Sequence, residues 1–407
     1  MNRSDPRRIA IIGAGPIGLE AALYGRRLGF DLVVYERGHV ANYWRAWGHI
    51  RLFTPFGMNS TPLGRAELSA HDSPAENDLL TGHEHVEKYL APLAASAALR
   101  DCIRSETTVL MIGRDGLCKT DLPADPARAE HRFCLLLRQG HTEYTDEADI
   151  ILDCSGTYAH HRWLGPGGIP AAGELAAQSH ICYWLDDILG QKRSHYAGKS
   201  IVLIGSGYSA ATSACLLARL AESHPDLWVV WLTRGARHQP LVRIPNDPLR
   251  ERDRLAARAN NLAARGDGNL EFHSQARIEA VEWTNQSFRV KTRIAGRERV
   301  WEADRVIANV GYMPDPTLTR ELQIHTCYAT EGPMALAASL LKQSAQDCLA
   351  IAPGGRNVLK TSEPNYFVLG AKSYGRNSQF LLRSGFEQIR EVYAIITGNT
   401  ELNLYKR

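Results

Sequence analysis

An α/β fold with two Rossmann-like dinucleotide-binding domains follows from three observations. Apolar runs of strand length lead into glycine turns at two places, "IAIIGAGPIG" (9–18) and "SIVLIGSGYSA" (200–210). Each turn opens a segment of helical periodicity and then a second apolar run, the βαβ unit of a parallel sheet. Two further segments, "EADIILDCSGT" (147–157) and "EADRVIANVGY" (302–312), repeat one another where a chain would cross between two such domains.

The first unit covers residues 8–37. Residues 8–12 form a short strand, and the apolar positions from Pro16 to Leu28 recur at helical spacing before Gly29, which suits a helix C-terminus. Gly13 would make the tight turn, Gly15 would let a pyrophosphate approach the backbone, and Gly18 would let the helix pack on the sheet. Pro16 and Ile17 start a helix whose free N–H groups and positive dipole end suit phosphates. Glu36 ends the strand "DLVVYER", 18 residues beyond Gly18, with Arg37 beside it. A carboxylate there can accept both hydroxyls of an unphosphorylated ribose.

The second unit repeats the plan. Strand 200–204 leads through Gly205 and Gly207 into a helix that starts with Tyr208 and Ser209 and runs to about Leu220. Ala210 stands where the first loop has its third glycine. The strand "LWVVWLT" then ends in Thr233, Arg234, Gly235, Ala236 and Arg237, with no acid. A hydroxyl and guanidinium groups would bind a 2′-phosphate that a carboxylate would repel. The pair of sites therefore predicts FAD in the first and NADPH in the second.

The crossings divide the chain into a discontinuous FAD-binding domain, 1–160 and 310–407, and an NADPH-binding domain, 165–305. Polar-interleaved runs over 105–152 and 277–306 predict an antiparallel meander in each. Segment 317–363 reads as irregular apart from a helix over "MALAASLLKQS" (334–344). The C-terminal stretch predicts a strand, a glycine turn and a helix from about Ser384 to Ile396, its N-terminus aimed at the flavin.

Composition bounds the function. The 407 residues hold two or three domains' worth of core, with 44% hydrophobic and 22% charged residues. A net charge of +3, from 47 basic and 44 acidic residues, is too balanced to argue for nucleic acid or an anionic membrane surface. No apolar run nears the roughly 20 residues of a membrane span. "MNRSDPRR" enters the first strand without the apolar region of a signal peptide, so the expected location is cytoplasmic. The eight cysteines are scattered without C-x-x-C, which predicts neither a zinc site nor a dithiol centre.

In this order of motifs the chain resembles the two-dinucleotide-binding-domain flavoproteins, which include thioredoxin reductases, flavin-containing monooxygenases and amine N-hydroxylases. The reductase branches carry C-x-x-C and a Gly-Asp turn whose acid binds the ribityl chain. Here the turn reads Gly370-Ala371-Lys372. "NYWRAWGHIRLFTP" (42–55), followed by Asn59, and "SHICYWLDD" (179–187) look like segments of the monooxygenase branches. The resemblance implies further FAD or NADPH contacts at Trp44, Arg51, Val109, Cys154, Ser155, Gly156, Gly311, Tyr312, Gly370, Gln379, Phe380 and Leu381. It implies an active region around His49, Arg51, Asn59 and Tyr374. The alternatives are that His49 and Arg51 bind FAD phosphate or cap a loop, and that Tyr374 and Gln379 pack around the ribityl chain. "HEH" (83–85) reads as a solvated helix start.

The implied activity is an NADPH-using FAD monooxygenase that oxygenates a nitrogen or sulfur of a small soluble substrate with O₂, through a flavin C4a-(hydro)peroxide. The alternative is an FAD-dependent NAD(P)H reductase passing hydride to a non-oxygen acceptor. The resemblance leaves room for a homo-oligomer.

Overall fold

Runs such as "RIAII" and "SIVLI" carry apolar side chains at every position, so their strands are stable only where both faces are covered. The computed structural model describes residues 7–68, 73–265, 268–343, 347–351 and 354–406. It divides into one unit built from residues 1–160 and 313–407 and another from 161–312.

In the first unit five parallel strands lie in the order Tyr366–Val368, Ile150–Asp153, Arg8–Ile12, Asp31–Tyr35, Ile103–Arg104. Strand periodicity sends alternate side chains to opposite cores. Ile9 and Ile11 join the cluster that includes Tyr24, Tyr393 and Ile389, while Ala10 and Ile12 join Phe133, Leu135 and Tyr366. Helix Pro16–Arg27 covers one face with helix Leu382–Thr397, whose Phe386, Ile389, Val392, Tyr393 and Ile396 form its buried stripe. Tyr393 stacks on Tyr24 with ring centroids 5.2 Å apart, and its hydroxyl donates to the Ala21 carbonyl at 2.8 Å.

The second unit has four parallel strands in the order Leu270–His273, Trp228–Leu232, Ser200–Ile204, Arg305–Ala308. Helices Tyr208–Ala221 and Arg250–Ala264 pack on one face. Each unit also carries a three-stranded antiparallel sheet: Thr107–Arg114, Phe133–Gln139 and Thr142–Ala148 in the first, Ala276–Thr284, Ser287–Ile294 and Arg297–Ala303 in the second. Among the described residues no helix is long and apolar enough to cross a membrane.

The repeated Glu-Ala-Asp has a physical reason that the sequence did not show. Its first two residues close the meander, and its aspartate turns the chain into the parallel sheet. Asp149 Oδ2 accepts the N–H of Arg8 at 2.8 Å, and Asp304 Oδ2 accepts the N–H of Ser200 at 2.9 Å. Each aspartate thus satisfies the leading donor of its unit's glycine-loop strand. The helix expected over 334–344 spans Met334–Leu341; Ser344 lies outside the described residues.

Candidate functional site

The two glycine loops superimpose in their bonding. Gly13 N–H donates to the Tyr35 carbonyl at 2.7 Å, and Gly205 N–H to the Leu232 carbonyl at 3.0 Å. Glu36 and Thr233 are therefore equivalent positions, each one residue beyond the accepting carbonyl. Gly13 and Gly205 have φ of +98° and +141°, values that side chains rarely adopt. A Cβ at Gly13 would stand 2.8 Å from the Cys154 carbonyl oxygen, and one at Gly205 would meet the Asn309 carbonyl oxygen. A Cβ at Gly18 would run into the Gly13 carbonyl oxygen. The third glycine thus makes room for the loop itself rather than for the sheet. At the matching place Ala210 is fully buried beside Gly205.

Gly15 and Gly207 differ from these. Their φ values, −80° and −95°, suit any residue, and nothing lies within 4 Å of where a Cβ would stand. No packing within the protein requires glycine there. Both are N-caps of long helices that have no side-chain cap and no acid in the first turn. That is the surface a pyrophosphate needs: free N–H groups, positive dipole and no Cβ.

Around the first loop the fold gathers several of the expected residues. Glu36 accepts the Ala14 N–H at 2.8 Å and the Gly38 N–H at 3.0 Å. Cys154 N–H donates to the Ile12 carbonyl, and Gly370 and Gly385 pack against Ile17. Phe380 packs where Gly385 leaves room, and Leu381 caps helix Leu382–Thr397, which places this helix start beside Ile17. Gln379 N–H is taken by the Asn377 side chain. Gly156 is left-handed, with φ +71°. Ala41 N–H donates to the Ala14 carbonyl and starts the short helix Asn42–Ala46, which carries Trp44. Arg37 is exposed and lies over the Tyr43 ring at 5.0 Å.

In the second unit Tyr208 and Ser209 form the first turn after Gly207. Thr233 is buried, while Arg234 and Arg237 are exposed. Gly311 and Tyr312 belong to this unit, where the Tyr312 hydroxyl donates to the Tyr183 carbonyl at 3.1 Å and its ring stacks on Trp184.

Other expected residues have different surroundings. Tyr374 is 2% exposed, packed edge-on against Phe380 and hydrogen-bonded to Ser384. Its hydroxyl is used inside the core. Val109 is a core residue, packed with Ala10, Ile12 and Tyr35. Asn59 is buried in a clasp: its Nδ2 donates to the Thr54 carbonyl at 2.9 Å, and its Oδ1 accepts the Thr54 hydroxyl at 2.8 Å. Arg51 is exposed in a segment paired with Thr81, and His49 is half-buried two residues before it.

"HEH" divides by helical spacing. His83 and Glu87 pair at the surface, and Glu84 completes a capping box with Thr81. His85, against the solvated reading, is fully buried among Trp44, Phe56 and Tyr89, and neither ring nitrogen has a hydrogen-bond partner. Burial pushes its pKa down to about 3.

Two buried polar groups gave no sequence signal. Glu20, on the first helix, is 1% exposed; burial raises its pKa to about 7 despite the hydrogen bond donated by Thr61 at 2.8 Å. Asp153, at the end of its strand, is fully buried and receives Lys372 Nζ and the Tyr366 hydroxyl, each at 2.7 Å. Burial pushes the Asp153 carboxyl up, but Lys372 and the hydrogen bonds outweigh it and hold the pKa low. Burial lifts the thiol of the neighbouring Cys154 well above its ordinary value. Among the described residues no group of three His, Cys, Asp or Glu side chains could hold a metal ion.

A model of the pyridine nucleotide-disulphide oxidoreductase family matches residues 10–117. A flavin-containing monooxygenase of Arabidopsis thaliana is 22% identical over 247 residues, covering 54% of this chain and 50% of the plant protein. An FAD-containing monooxygenase of Mycolicibacterium smegmatis is 32% identical over 104 residues, 25% of this chain and 20% of that protein. The chain thus spans half or less of the length of these curated relatives.

Among solved structures, bacillithiol disulfide reductase of Bacillus cereus superposes with a TM-score of 0.68 at 18% identity, over 97% of this chain and 99% of that one. The cadaverine monooxygenase of Erwinia amylovora, bound to FAD, gives 0.66 at 14%, over 98% and 96%. A flavin monooxygenase of Stenotrophomonas maltophilia gives 0.61 at 19%, over 97% and 99%. With two glycine loops of equivalent bonding, each at the C-terminal edge of a parallel sheet, and these likenesses across the whole chain, the protein has the fold of the two-dinucleotide-binding-domain flavoproteins.

Proposed function

We propose that the protein is a cytoplasmic FAD-dependent, NADPH-using monooxygenase that oxygenates a nitrogen or sulfur of a small soluble substrate. FAD belongs to the unit of 1–160 and 313–407, and NADPH to that of 161–312. The overall change is substrate, O₂, NADPH and a proton to oxygenated substrate, water and NADP⁺. The observation that carries the reading is the pair of uncovered glycines, Gly15 and Gly207, followed one strand later by Glu36 in one unit and Thr233-Arg234 in the other. Both loops are shaped for a pyrophosphate; only the second lacks the acid that would repel a 2′-phosphate.

FAD, when bound, supplies two-electron reduction and the activation of O₂. The chain's own residues do the rest. Glu36 would hold the adenosine ribose, and the first turn of helix Pro16–Arg27 would hold the phosphates. Thr233, Arg234 and Arg237 would select NADPH. Helix Leu382–Thr397 would offer its positive N-terminal end to the flavin. His49, Arg51 and Asn59 remain the candidates for the substrate side.

The reductase reading is favoured by the likeness to bacillithiol disulfide reductase. Against a dithiol route, the chain lacks C-x-x-C, and Cys154 beside the glycine loop is held as a thiol. The test supplies NADPH, ¹⁸O₂ and a panel of primary amines and thioethers. Oxygen uptake equimolar with NADPH and ¹⁸O in a product supports the oxygenase. Anaerobic turnover with a disulfide or quinone, and no ¹⁸O product, overturns it.

A further inference from the structure

The turn after strand Tyr366–Val368 carries Lys372 where the reductase branches place an acid nearby, and the structure gives that lysine an unusual setting. Among the described residues it is the one buried lysine, 5% exposed. Its ammonium donates to Asp153 Oδ2 at 2.7 Å and to Ser155 Oγ at 3.1 Å. Asp153 is saturated: Oδ2 also accepts the Tyr366 hydroxyl, and Oδ1 accepts Ser155 N–H at 3.1 Å and Ser155 Oγ at 2.6 Å. A carboxylate has about four lone-pair sites, and all four are used. An ammonium has three donors, and these bonds use two.

The location matters as much as the count. Asp153 pairs with Ile12, the residue before Gly13, and Gly370 packs on Ile17 in the first turn of the loop helix. The network therefore sits at the C-terminal edge of the parallel sheet, the edge at which such folds bind ligands. A buried ion pair is poor value as a stabilising device, because apolar residues of the same volume do as well or better.

We propose that Lys372 donates its third N–H to an acceptor oxygen of the dinucleotide in the first unit, a pyrophosphate or ribityl oxygen, with Asp153 and Ser155 as the clamp that fixes the ammonium. The polarity is inverted relative to the Gly-Asp turn: a donor faces the ligand where that turn offers an acceptor. The inference rests on the reading of the first unit as the FAD site.

The experiment strips flavin from the full-length protein and measures rebinding of FAD by fluorescence quenching and of ADP by calorimetry. Lys372→Met is expected to weaken FAD roughly ten- to a hundredfold, as loss of a charge-assisted bond does. Lys372→Arg should recover part of the loss. Because Lys372→Met strands a buried carboxylate, the double variant Asp153→Asn/Lys372→Met serves as the folded control. It should melt near the wild type and still bind FAD weakly. Weakening of both ADP and FAD identifies the pyrophosphate; weakening of FAD alone identifies the ribityl chain. A folded double variant that binds FAD as tightly as the wild type overturns the inference, leaving the pair a structural clip. A wild type that binds neither ligand overturns the FAD reading itself.

Discussion

The first and second glycine loops share a plan and differ in where they tolerate a side chain. Gly13 and Gly205 occupy the same turn, but at +98° and +141° their carbonyls sit differently. In the first loop that carbonyl fills the space of a Cβ at Gly18; in the second, Ala210 fits. The replacement of glycine by alanine is thus set by the loop's own backbone. The proposed coenzyme choice rests on another pair, Glu36 and Thr233, which the matching Gly13–Tyr35 and Gly205–Leu232 bonds make equivalent. One difference is packing and the other is recognition, and substitutions can separate them.

The largest effect is expected at the packed glycines. Gly18→Val should unfold or strongly destabilise the first unit, by more than about 4 kcal/mol, because the new side chain meets backbone that cannot move. Hydrogen exchange should show loss of protection in strand Arg8–Ile12 and little change in Ser200–Ile204. Equal loss in both would mean that the loops do not stabilise their units separately. Ala210→Gly should cost only about 1 kcal/mol.

Next come the open glycines. Gly15→Val should leave the melting temperature of the apoprotein within a few degrees and cut FAD affinity by on the order of a hundredfold or more. Gly207→Val should do the same for NADPH. If either variant melts far below the wild type, a side chain at that glycine does meet the protein.

A smaller change tests recognition. Arg234→Ala should weaken NADPH by roughly ten- to a hundredfold and NADH less than about threefold, the loss of one charge-assisted phosphate contact. Equal losses would refute the 2′-phosphate assignment.

The last effects concern buried titratable groups and are spread over a range of pH. Position 20 is a buried glutamate, whereas the equivalent Thr212 of the second helix bonds the Tyr208 carbonyl and does not titrate. Glu20 has its folded pKa raised from 4.5 to about 7. The folded state therefore holds the proton more tightly, and stability is lost as pH rises through that window, by up to about 3 kcal/mol. Glu20→Gln should flatten urea midpoints between pH 4.5 and 7. His85 runs the other way: with its pKa depressed from 6.5 to about 3, its contribution disappears as pH falls through that range. His85→Phe should remove that acid loss and raise stability at neutral pH by about 1 kcal/mol, since two unpartnered ring nitrogens leave the core. A variant with unchanged acid sensitivity would place the effect elsewhere.

What the sequence revealed follows from the range of each signal. Strands 8–12 and 200–204, both helices after the glycine loops and both meanders were legible because periodicity and turn chemistry act over a few residues. So was the equivalence of positions 36 and 233, whose spacing from the loops is fixed by one βαβ unit. Lys372 and Asp153 are 219 residues apart, and Thr61 and Glu20 are 41 apart. No local pattern marks such partners. "HEH" was misread at His85 because helical spacing alone does not say which face meets the core. Tyr374 was named only through the resemblance, and its burial at 2% exposure is set by packing that no local pattern shows.

The first unit also has a consequence for biosynthesis. Its fifth strand, Tyr366–Val368, and the helix that covers Tyr24 come from the far end of the chain. A ribosome delivers all of 161–312 before either appears. The part that starts first is completed last, and strand Ile150–Asp153 must wait with an open edge through some two hundred residues of synthesis. During that interval the nascent chain carries its greatest exposure to wrong pairing, and its need for a chaperone should be concentrated there.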